Sequence, residues 1–287
     1  MTTQSITAFW LGYVPSGEGA GPLLQATPPC VDVLILAFGN LFPGNTTCLQ
    51  FLQTSHSRDQ IRAGLAALRR SSPDLKILLS LIGTPNPPVG WNTGITDPAA
   101  FGAWCAQLAR EWDLDGFDID NEDLDTFPGD AFVATVKGMR AAMPDAVLTL
   151  DTYLFERDRA VISALSTTLT AINTMAYFYD FDAMTRLVEQ YATVIDPGRI
   201  AVGVKAGKVG LDQGTSVADT AKLCRWNPGS GPKRGMMLWN LSQDIQSVTG
   251  QPDGTWIRTI QENLPGHPPA RDAQAAAIDT PGPRNPG

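Results

Sequence analysis

Hydrophobic positions along the chain follow two alternating periods. Short runs that are apolar almost throughout, such as VDVLILAF at 31–38 and KILLSLI at 76–82, read as strands covered on both faces, as in a parallel sheet. Strands are predicted over Ile6 to Val14, Val31 to Phe38, Lys76 to Ile82, Gly116 to Asp120, Ala146 to Asp151, Ile172 to Tyr177, Ile200 to Val204 and Gly235 to Leu241. Between most of them lie amphipathic stretches with helical spacing: Arg58 to Arg70, Asp97 to Trp112, Asp130 to Met143, Arg157 to Leu169, Met184 to Ile195, Ser216 to Cys224 and, last, Trp256 to Leu264.

Eight such units in about 260 residues predict an α/β fold, a single-domain (β/α)8 TIM barrel over residues 1–264. An open doubly wound sheet is the runner-up. No Gly-rich dinucleotide or phosphate loop follows the first strand, and Gly203 to Lys208 lacks phosphate-loop spacing. The first connection, Pro15 to Pro29, is rich in Gly and Pro and reads as a loop with at most a short helix. Residues 265–287 hold six of the 22 prolines and little periodicity, which predicts a flexible tail.

Composition narrows the function classes. At 43% hydrophobic and 17% charged residues the chain lies far from the disordered corner. A net charge of −8 repels a phosphate backbone, so no nucleic-acid partner is expected. The longest apolar run, Val31 to Phe38, is far short of a bilayer crossing, so no membrane partner is expected either. Only His56 and His267 are present, which disfavours zinc hydrolases and Ser-His-Asp triads; His56 reads as a surface loop residue. Cys30, Cys48, Cys105 and Cys224 form no CxxC pair; Cys30 and Cys48 flank one predicted strand and are the candidate pair for a bridge. No secretion signal is visible in the first twenty residues. No metal or organic cofactor is called for, and a monomer is expected.

The segment LDGFDIDNED at 114–123 carries the strongest chemical signal. Side chains alternate across a strand, so Asp118, Asp120 and Glu122 share the side of Gly116, while Phe117, Ile119 and Asn121 share the other. In a barrel the acidic side is the interior and Glu122 stands at the C-terminal mouth, where such barrels keep active sites. Three carboxyls on one buried face cannot all ionise cheaply, so at least one holds a proton near neutral pH, as a general acid must. A calcium loop does not fit, because Asp123 rather than Gly occupies the sixth position counted from Asp118. Asp115, on the other parity, reads as structural.

The run Asp115-Gly-Phe-Asp118-Ile-Asp120-Asn-Glu122 resembles the DxxDxDxE signature of glycoside hydrolase family 18, which comprises chitinases and endo-β-N-acetylglucosaminidases. KILLSLIG at 76–83, INTMAY at 172–177 and GMMLWNL at 235–241 resemble the third, sixth and eighth strands of that family. The third strand, Asn121 and the phrase Met139 to Asp145 look closest to endoglycosidase H and its relatives, whereas Trp239 is more similar to the chitinase floor. Phe178 stands where an Asp often follows the sixth-strand Tyr, with Asp180 the nearest substitute.

The resemblance implies a retaining, substrate-assisted endo-hydrolase. Glu122 would be the acid and base, Asp120 the group that orients the substrate acetamide, and Asp118 its proton partner. Tyr177 or Tyr179 would bond the acetamide oxygen, and Trp239 would stack under the sugar. Tyr13 and Tyr153, with Trp91, are weaker groove candidates. The implied partner is a GlcNAc-containing oligosaccharide or glycoprotein glycan, with the N-glycan chitobiose core favoured over chitin, and such a substrate implies secretion. The competing readings are a catalytically silent sugar-binding barrel and a barrel enzyme unrelated to sugars.

Overall fold

The computed structural model describes residues 4–13, 21–41, 56–85, 88–92, 95–123, 127–208 and 214–267. Eight parallel strands close into a barrel: β1 Ser5–Leu11, β2 Val33–Asn40, β3 Lys76–Ile82, β4 Gly116–Asp120, β5 Val147–Thr152, β6 Ala171–Thr174, β7 Ile200–Lys205 and β8 Gly235–Trp239. Neighbours in sequence are neighbours in the wall, and Ser5 opposite Gly235 closes β1 on β8. The helices are α1 Arg58–Ser71, α2 Pro98–Trp112, α3 Asp130–Ala142, α4 Phe155–Ala164, α5 Phe181–Tyr191, α6 Val217–Arg225, the single turn α7 Gln246–Thr249 and α8 Thr255–Asn263. No described helix is long and apolar enough to cross a membrane.

Local chemistry explains the helix starts. Ser57 Oγ accepts from the Gln60 amide while Gln60 Oε1 accepts from the Ser57 amide, a capping box for α1. Asp97 caps α2, with Pro98 in the first turn, where a missing N–H is harmless. Where α2 crosses α3 the backbones nearly touch: a Cβ on Gly102 would lie 2.4 Å from the Gly138 carbonyl oxygen, so only glycine fits.

Between β1 and β2 the described residues hold only a 3-10 turn, Leu24–Ala26, in keeping with a Gly/Pro-rich loop. Two departures from the sequence reading matter. The sixth strand stops at Thr174 rather than Tyr177, and a turn follows in which the Tyr179 amide donates to the Ala176 carbonyl at 3.0 Å. Helix α4 begins at Phe155, so Arg157 lies in its first turn. At the start of the predicted tail, His267 Nε2 lies 2.5 Å from the Gln4 carbonyl oxygen. Residues 268–287 of the predicted tail lie outside the described residues, as does Cys48 of the candidate Cys30–Cys48 bridge.

Candidate active site

Strand β4 places Asp118 and Asp120 in the barrel interior, 0% and 2% exposed, while Phe117 and Ile119 pack outward with no exposure. Glu122 lies just past the strand and is exposed at the mouth. Asp115 pairs with Arg69 at 2.8 Å and accepts from the Ile77 amide, the structural role its parity predicts.

The neighbouring strands complete the site through their register. Ser80 on β3 and Thr149 on β5 stand opposite Asp118; Asp151 on β5 stands opposite Asp120, and Asn173 on β6 opposite Asp151. Ser80 Oγ donates to Asp118 Oδ2 at 2.7 Å, and Thr149 Oγ1 donates to Asp118 Oδ1. Asn173 Nδ2 donates to both Asp118 Oδ1 (3.3 Å) and Asp151 Oδ1 (3.0 Å). Asp120 Oδ1 is buried and finds no donor among the described residues.

Burial sets the protonation of this group. It pushes Asp120 and Asp151 well above the usual carboxylate range, and like charges add to the push, from Glu122 and Asp118 on Asp120 and from Asp118 and Asp120 on Asp151. Asp118 is raised by burial too, but the hydrogen bonds from Thr149 and Ser80 pull it back. The Glu122 carboxyl, flanked by protein although the residue is exposed, is raised by desolvation and held down by Arg157.

Asp151, Asn173 and Arg157 are absent from the sequence-predicted set. Asp151 and Asn173 carry a readable signal: in VLTLDT the polar Thr149 and Asp151 alternate with Leu148 and Leu150, the same inward-polar parity as β4. Arg157 carries none, since an Arg-Asp pair opening a helix reads as a solvated end. It is 6% exposed, donates to the carbonyls of Asn121 (2.7 Å) and Asp123 (3.0 Å) on either side of Glu122, and is held by Asp158 at 2.6 and 2.9 Å. Thr152 Oγ1 donates to Asp158 at 2.6 Å, anchoring that pair to β5.

The predicted aromatics divide. Tyr177 is 7% exposed, and its hydroxyl is kept protonated by burial and by the charges of Asp151, Asp120 and Glu122. Tyr179 is 48% exposed, because the turn after Thr174 breaks the strand parity that would have aimed both rings inward. Tyr153 is half-buried near Glu122 and Arg157, whose charges act on its hydroxyl. Trp239 ends β8 against Phe9 and Phe38, with ring centroids at 5.1 and 5.7 Å. Tyr13 packs on the core beyond β1. Trp91 is buried against Phe101 and Phe132, a packing residue. Asn121 is buried and donates to Asn92 at 2.9 Å. Asp180 accepts from the Ala183 amide as the N-cap of α5, so it does not stand in for an acid at 178. His56 is half-buried, its ring 5.7 Å from Trp10. Among the described residues no group of His, Cys, Asp or Glu has the arrangement to hold a metal ion.

No protein-family model matches the chain, and neither does any curated protein. Solved structures do match in three dimensions. A family 18 chitinase from Pseudoalteromonas aurantia superposes with a TM-score of 0.71 at 18% identity, covering 91% of this chain and 100% of that one. The two share one fold. A family 18 chitinase variant from Cycas revoluta in complex with (GlcNAc)4 gives a TM-score of 0.67 at 17% identity, with 89% and 98% of the chains covered. An endo-β-N-acetylglucosaminidase variant from Cordyceps militaris in complex with fucosyl-N-acetylglucosamine-Asn gives 0.63 at 13%, with 91% and 90% covered. At these identities the likeness is one of architecture.

Proposed function

We propose that the protein is a retaining endo-hydrolase of GlcNAc-β-1,4-linked glycans that uses the substrate's own 2-acetamido group as nucleophile. The observation that carries this reading is Asp120 Oδ1, a buried carboxyl oxygen without a donor among the described residues, two residues from an acid at the barrel mouth. A buried polar atom left unpaired costs free energy unless a ligand pairs it, and a carboxyl oxygen is complemented by an N–H donor such as that of an acetamide.

The mechanism follows from the geometry. Glu122, raised above the usual range, protonates the leaving glycosidic oxygen and later takes a proton from the attacking water. Asp120 accepts the acetamide N–H and balances the positive charge that develops as the acetamide oxygen attacks the anomeric carbon. Asp118, supplied with donors by Ser80 and Thr149, takes up the proton that Asp120 must release to become an anion. Tyr177 rather than Tyr179 is the buried hydroxyl beside these carboxyls and donates to the acetamide oxygen. Trp239 forms the apolar floor under the sugar ring. Two carboxyls at i and i+2 of one strand flank the same side of a sugar, which suits assistance by the substrate better than an ester on a second carboxylate.

The favoured source of the scissile bond is the chitobiose core of an N-glycan. Chitin is the second reading, supported by the Trp239, Phe9 and Phe38 floor. Incubation with chitin oligomers and with a high-mannose glycopeptide side by side distinguishes them: release of the glycan leaving one GlcNAc on the peptide is expected, shortening of the oligomers alone favours chitin, and turnover of neither contradicts the proposal.

A further inference from the structure

The mechanism above uses Glu122 at the mouth and Asp120 and Asp118 inside, and leaves a further interior carboxyl, Asp151, without a task. It is 2% exposed, shares its level of the barrel wall with Asp120 on one side and Asn173 on the other, and shares the Asn173 amide with Asp118. The titratable groups that face it are Asp118 and Asp120 on β4 and the Tyr177 hydroxyl beyond β6. The guanidinium that acts on the neighbouring Asp120 and Glu122, Arg157, is bound to Asp158 and to two carbonyls.

Donors are unequally shared between the two linked acids. Asp118 receives Ser80, Thr149 and Asn173, whereas Asp151 receives Asn173 on Oδ1 alone. Two buried carboxylates bridged by one neutral amide would repel each other strongly at low dielectric. A proton on Asp151 removes that repulsion, and a protonated carboxyl becomes a donor. Its natural acceptor is the anion with more donors, Asp118.

We propose that Asp151 is a positioning residue that stays neutral, accepts from Asn173 and donates its own proton to Asp118, so that the buried acids carry a single negative charge. That charge rests on Asp118 in the free protein. When Asp120 ionises against the substrate, its O–H bond breaks and an O–H bond forms on Asp118, while the proton of Asp151 stays where it is. The net charge of the cluster is unchanged throughout, so no second buried anion opposes the step. This inference rests on the glycosidase reading for its consequence in turnover, but the proton itself can be seen without any substrate.

The experiment combines infrared spectroscopy with kinetics on Asp151→Asn and Asp151→Ala. In the wild-type protein at neutral pH a carbonyl stretch of protonated carboxylic acid, sensitive to deuterium exchange, is expected, and Asp151→Asn should lose one such component. Asparagine reproduces both hydrogen bonds, with Oδ1 accepting from Asn173 and Nδ2 donating to Asp118, whereas alanine leaves Asn173 and Asp118 each short of a partner. Asp151→Ala should therefore lower kcat by on the order of tenfold or more, the effect of an unpaired buried polar group, and asparagine should recover most of that loss. The alkaline limb of kcat/KM should not move in Asp151→Asn, because no charge is removed.

A downward shift of that limb in Asp151→Asn would mean that a negative charge had been deleted near Glu122, and would overturn the inference. Equal loss of kcat in both variants, or an infrared spectrum unchanged by Asp151→Asn, would overturn it too. If Asp151→Asn loses the infrared component and no GlcNAc-linked glycan is cut, the glycosidase reading fails while the proton on Asp151 stands.

Discussion

Glu122 combines two properties that the proposed general acid needs: exposure at the barrel mouth, and a carboxyl raised above its ordinary range by desolvation. In the proposed role it would work only while protonated, so turnover should decline as pH rises through its pKa, and the raised value should carry activity to higher pH than a free glutamate would. Glu122→Gln removes the proton but little volume and should slow hydrolysis by about 10²–10⁴-fold with the fold intact, read from initial rates and circular dichroism. Tyr177 and Tyr179 give a second test at this scale. If the Tyr177 hydroxyl fixes the acetamide for attack as proposed, Tyr177→Phe should depress kcat more than it raises KM, whereas Tyr179→Phe, on an exposed side chain, should leave kcat close to wild type. A reversed order would reassign the tyrosine.

At the scale of elements, strand β4 supplies the acids and helix α4 holds them. Arg157 ties the carbonyls of Asn121 and Asp123 and so fixes the backbone on both sides of Glu122. Its guanidinium also favours the Glu122 anion. Arg157→Met should therefore lower kcat and, by removing a nearby positive charge, raise the Glu122 pKa and move the alkaline limb of kcat/KM upward; a pH–rate profile shows both. A fall in kcat with an unmoved limb would limit Arg157 to a structural part.

The acids of β4 were legible in the sequence because strand parity alone puts Asp118 and Asp120 together. Asp151 and Asn173 follow the same rule on β5 and β6, but each is the lone acid or amide of its strand among threonines and apolar residues, where it draws little notice. The end of β6 was not legible: Met175 and Tyr177 continue the apolar alternation past Thr174, and only the turn closed by the Ala176 carbonyl separates Tyr177 from Tyr179. The Arg157 anchor was not legible either, since it depends on where α4 begins and on contacts with backbone atoms far away in sequence.

For the molecule as a whole, barrel closure buries acids that an unfolded chain would leave in water, and this links stability to pH. Asp120 and Asp151 have folded pKa values above their unfolded ones, so the native state binds more protons and stability falls as pH rises from the ordinary carboxylate range. The net charge of −8 adds self-repulsion in the same direction. Lys233 acts oppositely at higher pH. Its buried ammonium, bonded to the Cys224 and Trp226 carbonyls and depressed by desolvation to about 8, releases a proton in the fold before it does so in the unfolded chain, so above about 8 it adds stability as pH rises. Thermal unfolding followed across pH should thus show a maximum on the mildly acidic side of neutral, and a maximum at or above pH 8 would contradict this balance.

The central claim is that the substrate's acetamide does the work of a nucleophile while Asp120 and Tyr177 hold it in place. The most direct measurement compares initial rates on two substrates with the same β-1,4 linkage and leaving group, one carrying a 2-acetamido group on the sugar at the cleaved bond and the other a 2-hydroxyl. Hydrolysis of the first, with none of the second above background and with loss of the first in Glu122→Gln, is the predicted result; cleavage of both at similar rates, or of neither, would contradict the account.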